Sequence, residues 1–251
     1  MRFFYNNLVD ASAASMSASS AISTLPASNV QTQLIERVWR TTTAAAAEYI
    51  TADLGSAQAV TAFLLQNHNL LVTEAMQLEA DNDPAFGSAT LYAVTWAAGT
   101  IARIISSNSK RYWKYSFTKT SAAVQREAGR LFLGTYADTT EQPDFGGWES
   151  DPTDLSVAQR SRGGQVYSDI RSSFRTLRLD FSMIGETDKA TIEAVATACG
   201  THTSFFIQVD PANSPLTEYL YVNFKRRPKF KVSGYDSELK YDTTLELEEQ
   251  L

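Results

Sequence analysis

Tyr49-Ile50-Thr51-Ala52-Asp53-Leu54-Gly55 is a short apolar run that stops at an acidic residue and a glycine. Side chains that alternate in character suit a pleated strand, and Gly permits the tight turn that ends one. The same grammar repeats on either side. Val60 to Gln66, Met76-Gln77-Leu78-Glu79-Ala80 and Gly129-Arg130-Leu131-Phe132-Leu133-Gly134 are further short runs broken by Gly, Asn and Asp, a spacing that predicts the strands of a β-sandwich. Trp113, Tyr115 and Phe117 alternate with Lys114, Ser116 and Thr118, which puts three aromatics on the core face of one strand. Upstream, Ala11 to Ser28 is rich in Ser and Ala without apolar periodicity and reads as an extended entry rather than a helix.

Downstream, Ala137 to Gly164 gathers Pro143, Gly146, Gly147, Pro152, Gly163 and Gly164 among polar and acidic residues, the composition of a linker or long loop. Phe145 and Trp148 stand out in it, pinned either against a neighbouring subunit or over their own domain. Beyond it, Leu177, Leu179, Phe181 and Met183 alternate with polar residues as a half-buried strand. Glu186 and Asp188 favour a helix N-terminus, Ile192, Val195, Ala196 and Cys199 share one helical face, and Gly200 caps the end, which predicts a helix over 186–199. Strands are expected over 204–209 and 217–224, with a long final strand whose inner face carries Leu239, Tyr241, Thr243, Leu245 and Leu247. Three parts result: a β-sandwich over 1–136, a linker or long loop over 137–164, and strands around one helix over 165–251. A chain of 251 residues allows two such cores.

Composition bounds the function. Apolar content of 43% and charged content of 20% are those of a globular protein, no apolar run reaches membrane-span length, and Met1 to Asn7 lacks the apolar core of a secretory signal. We therefore expect no membrane insertion and synthesis in the cytoplasm. The net charge of −6 is uneven, and residues 137–251 alone hold −7, which argues against nucleic-acid binding through phosphate neutralisation. Lys225-Arg226-Arg227-Pro228-Lys229 departs from that trend, either as a strand edge guarded by charge and proline or as a surface for an anionic partner.

Residues that carry chemistry are sparse. One cysteine, Cys199, excludes an internal disulfide and a multi-cysteine zinc site. His68 and His202 flank a strand and the helix, in positions that suit hydrogen bonds to loop backbone. Asp81-Asn82-Asp83 offers oxygen ligands suited to calcium but lacks an EF-hand's downstream Glu, so a turn is the simpler reading. Glu74/Glu79 and Asp81/Asp83 form no paired-acid motif in context, and neither a nucleophile elbow nor a phosphate loop occurs. Neither catalytic residues nor a cofactor are expected.

The order of Asn29, Val38-Trp39-Arg40, the run Tyr49 to Gly55, Phe63-Leu64-Leu65-Gln66-Asn67-His68-Asn69 and Arg130-Leu131-Phe132-Leu133-Gly134 resembles the galactose-binding-like, discoidin-type jelly-roll sandwich. The resemblance implies glycan or surface contacts from loops at one end of the sandwich, here with Arg37, Arg40, Asp81, Asp83 and Arg111 as candidates. No aromatic triplet offers an obvious sugar platform, since Trp113, Tyr115 and Phe117 are committed to the core. Residues 165–251 resemble the tail-tube-type β-sandwich with one flanking helix found in siphophage distal-tail and minor-tail proteins. That resemblance implies a virion protein of the tail tip or baseplate, made in the host bacterial cytoplasm. It implies a ring, a hexamer by analogy, that joins the tail tube to the distal tip and meets tube and hub proteins. Inter-subunit candidates are Phe145, Trp148, Lys225, Arg226 and Arg227. The alternative is a non-catalytic, lectin-like module that binds carbohydrate or a host surface.

Overall fold

The computed structural model describes every residue except 44, 145, 213–217, 237 and 251. Its strands are β1 (Arg2–Asn7), β2 (Ser15–Ala18), β3 (Trp39–Arg40), β4 (Ala47–Leu65), β5 (Met76–Asp81), β6 (Thr90–Val94), β7 (Ile101–Thr118), β8 (Glu127–Ala128) and β9 (Leu131–Asp138). There follow β10 (Trp148–Asp154), β11 (Val157–Arg160), β12 (Val166–Asp169), β13 (Ser173–Ile184), helix α1 (Glu186–Cys199), β14 (Phe205–Gln208), β15 (Tyr219–Phe224), β16 (Lys231–Asp236) and β17 (Glu238–Glu249). The chain is mainly β and carries one α-helix among the described residues. It divides into two compact units, one of Asn6–Tyr136 and one of Met1–Tyr5 with Ala137–Leu251. Residues 1–5, expected in the sandwich, belong to the second unit because Arg2, Phe3 and Phe4 pair with Gln208, Ile207 and Phe206 of β14.

In the unit Asn6–Tyr136, β4 lies between β7 and β9 and also pairs with β2, while β7 continues to β5 and β6. The runs 49–55 and 60–66, expected as two strands, are one 19-residue strand. Gly55 bends the strand without ending it: its φ is +76°, its N–H donates to Asp53 Oδ1 at 2.8 Å, and the β4–β7 register shifts between Asp53 and Gln58. A Cβ at Gly55 would come within 3.0 Å of the Ala13 carbonyl oxygen, so no larger residue fits without movement. Inward-facing Ile50, Ala52, Leu54, Trp113, Tyr115 and Phe117 are buried in one cluster with Trp39, whose indole N–H donates to the Ser20 carbonyl at 2.9 Å. Two ion pairs lie in this interior, Lys119–Glu48 at 3.3 Å and Arg126–Glu74 at 2.8 Å.

In the other unit the strand order is β10-β13-β17-β15-β14-β1, and β16 pairs with the first residues of β17. Leu177, Leu179, Phe181, Leu245 and Leu247 form a core with Ile192, Val195, Ala196 and Cys199 of α1, as the two periodicities require. Met183, expected on the buried face, is exposed with φ at +57°, because a register shift between Phe181 and Ile184 turns it outward. The segment expected as linker contains strands: β10 pairs with β13 from Trp148↔Leu179 to Asp154↔Ser173, and β11 and β12 form an exposed hairpin. Proline is compatible with β10 because this strand lies at the end of the strand order. Lys225 to Lys229 form the connection between β15 and β16, so the cluster guards no strand of its own.

Candidate functional site

The outward faces of β2, β4 and β7 and the β5–β6 loop enclose a concavity of about 430 Å³ lined by Ser15, Ser17, Tyr49, Thr51, Asp53, Pro84, Ala85, Phe86, Tyr112 and Lys114. Strand alternation sets this lining: as 50, 52 and 54 enter the core with 113 and 115, residues 49, 51, 53, 112 and 114 face outward. Ladder register brings them together, with Thr51 opposite both Ser17 and Lys114, and Asp53 opposite both Ser15 and Tyr112.

The aromatic walls are fixed by charge. Lys114 Nζ stands 2.8 Å from Glu79 Oε2, 4.5 Å from the Phe86 ring centroid and 5.7 Å from that of Tyr49, which holds the ammonium between two π faces. Arg111 grips Asp53 through two bonds, Nε to Oδ1 at 2.7 Å and Nη2 to Oδ2 at 2.9 Å, and lies over Tyr112. Those bonds from Arg111, with the Gly55 N–H, hold the Asp53 carboxyl below the ordinary carboxylate range against the opposing effect of burial. Phe86 sits at φ +55° in a loop that fixes it there. Asp81 accepts from the backbone N–H groups of Ser88 at 3.0 Å and Asn82 at 2.7 Å, Asp83 Oδ1 accepts from Ala85 N–H at 2.9 Å, and the Phe86 N–H reaches the Asp83 carbonyl at 3.0 Å. A non-glycine residue in the left-handed region persists only where surroundings enforce it.

The sequence candidates therefore separate. Asp81, Asp83 and Arg111 come together here as the scaffold of the concavity, with Asp81 spent on backbone N–H groups. Arg40 pairs with Glu127 across β3–β8 and Arg37 is exposed on the turn after Leu34; neither lines the concavity. Tyr49, Phe86 and Tyr112, which the sequence reading did not bring together, line one hollow. The signal was available in part: once 113, 115 and 117 face inward, 112 and 114 must face out.

Other candidates are otherwise placed. Cys199 is buried, and burial pushes its thiol up to about 12, far from a nucleophile's range. Burial lowers His68, and the His202 ring covers Gly200. Glu74 and Glu79 are each paired with a cation. Among the described residues no three His, Cys, Asp or Glu side chains converge as metal ligands. Phe145 lies outside the described residues; Trp148 is 37% exposed at the start of β10, and Lys225, Arg226 and Arg227 are exposed.

No family model and no curated protein matches the chain. Among solved structures, a family 32 carbohydrate-binding module of C. perfringens NanJ in complex with galactose is 20% identical at a TM-score of 0.44, covering 55% of this chain and 100% of that one. A Streptococcus pneumoniae fucose-binding module is 12% identical at a TM-score of 0.43, covering 52% of this chain and 95% of its own. A Ruminococcus gnavus GH29 fucosidase in complex with fucose is 17% identical at a TM-score of 0.47, and the match spans 54% of this chain but 28% of the enzyme.

Proposed function

We propose that the unit Asn6–Tyr136 is a non-catalytic carbohydrate-binding module whose ligand occupies the concavity between Tyr49, Phe86 and Tyr112. The observation that carries this reading is the lining itself: aromatic faces for the C–H side of a sugar ring, hydroxyls of Ser15, Ser17 and Thr51, and the Asp53 and Lys114 charges for ring hydroxyls. Asp53 and Lys114 are each held in an ion pair, which fixes the direction in which the lining presents its charges to a ligand. A glycan array probed with the whole chain, followed by calorimetry on each hit, tests this. Tyr49→Ala and Phe86→Ala are expected to weaken binding by about tenfold or more while leaving the fold intact. Silence across the array, or affinity indifferent to both substitutions, would overturn the reading.

A second reading places this module on a virion. In it the unit Met1–Tyr5 with Ala137–Leu251 self-associates as a ring at a bacteriophage tail tip, meeting tube and hub proteins. It is favoured by the two sheet edges of that unit, β10 and β16, neither of which has a second strand partner among the described residues. Mass spectrometry of purified virions and electron microscopy of the chain test it; a chain absent from virions would end it.

A further inference from the structure

Strand register spaces the aromatic residues of the concavity along one direction. Ser17, Thr51 and Lys114 form a middle rung across β2, β4 and β7; Tyr49 opposite Ser116 is the rung on one side of it, and Ser15, Asp53 and Tyr112 the rung on the other. Antiparallel strands rise about 3.4 Å per residue, so neighbouring rungs on one face lie about 7 Å apart and the rungs of Tyr49 and Tyr112 about 13 Å apart. Charge keeps the rings at their own ends. Tyr49 and Phe86 both face the Lys114 ammonium, whereas Tyr112 lies under Arg111, whose Cζ is 4.8 Å from its ring centroid and whose guanidinium is bound to Asp53.

Stacked rings sit about 4.5–7 Å apart, centroid to centroid, so one sugar ring on this floor reaches one aromatic end and not both. The space agrees with that spacing. A cavity of about 150 Å³ encloses a single benzene ring, and this concavity holds about 430 Å³. We propose that the site takes an extended oligosaccharide, two or three linked sugar rings laid along β4 and β7. One end stacks on Tyr49 and Phe86, the other on Tyr112, and the hydroxyls of Ser15, Ser17 and Thr51 meet the sugar hydroxyls along the way. The ligand class is a stretch of glycan chain rather than a single terminal sugar. The inference rests on the carbohydrate-binding reading above and names the ligand of that site.

The test is calorimetry of the whole chain against ladders of glucose, galactose, xylose and N-acetylglucosamine oligosaccharides, one to five residues long, and against shortened fragments of any other array hit. Affinity for the preferred sugar should rise about tenfold or more between one residue and three, the worth of an added stacking contact, and then level off. Removing the ring at either end, by Tyr49→Ala or Tyr112→Ala, should erase that gain, so that the trisaccharide binds within about twofold of the monosaccharide. Tyr112→Phe should restore it, because the ring rather than the phenol does the stacking. Both tyrosines are at least partly exposed, and unchanged melting of each variant excludes misfolding. A monosaccharide bound as tightly as its own trisaccharide would overturn the extended ligand and leave the carbohydrate reading standing; a chain that binds nothing in the ladders or on the array would overturn both. A gain with length that survives both alanine substitutions would overturn the placement of the two ends.

Discussion

Asp53 has two tasks at once, since Oδ1 fixes the bulge at Gly55 while both oxygens hold Arg111 at the rim of the concavity. Its carboxyl is depressed chiefly by Arg111, so the stabilising contribution is complete above the ordinary carboxylate value of ~3.9 and is lost as pH falls through the lower folded value. Arg111→Met should raise the Asp53 value towards the ordinary one, so that less stability is lost as pH falls and the loss is complete at higher pH. Carboxyl titration by NMR reads this directly, and an unmoved Asp53 would refute the role given to Arg111. The buried pair behaves differently. Lys119 and Glu48 are fully enclosed, and the ammonium also donates to the carbonyls of Thr42 and Ala122, so Lys119→Met strands a buried carboxylate and should cost about 3–5 kcal/mol. Lys114→Met, at the half-open Glu79 pair, should cost about 1 kcal/mol or less and should instead lower glycan affinity. Denaturant melts of the two variants separate a lysine that holds the fold from one that holds a ligand.

At the scale of elements, the β5–β6 loop positions Phe86 through the Asp81 carboxylate. Asp81→Ala should release residues 82–88 to faster hydrogen exchange and weaken sugar binding, with the β5–β7 ladder still protected, because the carboxylate holds the N–H groups of Asn82 and Ser88. Retained protection in 82–88 would count against that role. This loop also shows where sequence reading stops. The inward faces at 50–54 and 113–117 and the helix over 186–199 follow from side-chain period alone, since burial enforces period 2 or 3.6. The bulge at Gly55 is less legible, because Gly ends a strand or bends it according to the partner opposite, and the Ala13 carbonyl that decides the matter lies 42 residues upstream. β10 was hidden by Pro152 and by acidic residues that suit an edge strand as well as a loop. The concavity was the least readable, because Ser15, Tyr49, Phe86 and Tyr112 meet only through the register of three strands and a left-handed φ at Phe86.

At the scale of the molecule, there are two hydrophobic clusters without a residue in common, one around Trp39, Phe63 and Trp113, the other around Phe3, Leu179 and Val195. Each interior is close-packed, so truncation inside one acts first on the unit that contains it. Phe63→Ala removes a fully buried ring stacked 4.9 Å from Tyr115 and should destabilise the unit Asn6–Tyr136 by about 3–5 kcal/mol. Leu179→Ala, equally buried, should cost the other unit about 2–5 kcal/mol. Calorimetry should show a different part of the melting profile moving in each variant. Function should divide the same way if the second reading holds: warmed to where only its weakened unit has melted, the Phe63→Ala chain loses sugar binding but keeps self-association, and the Leu179→Ala chain does the reverse. If both variants lost both properties together, binding and assembly would share one cooperative unit, and the assignment of one function to each core would fail.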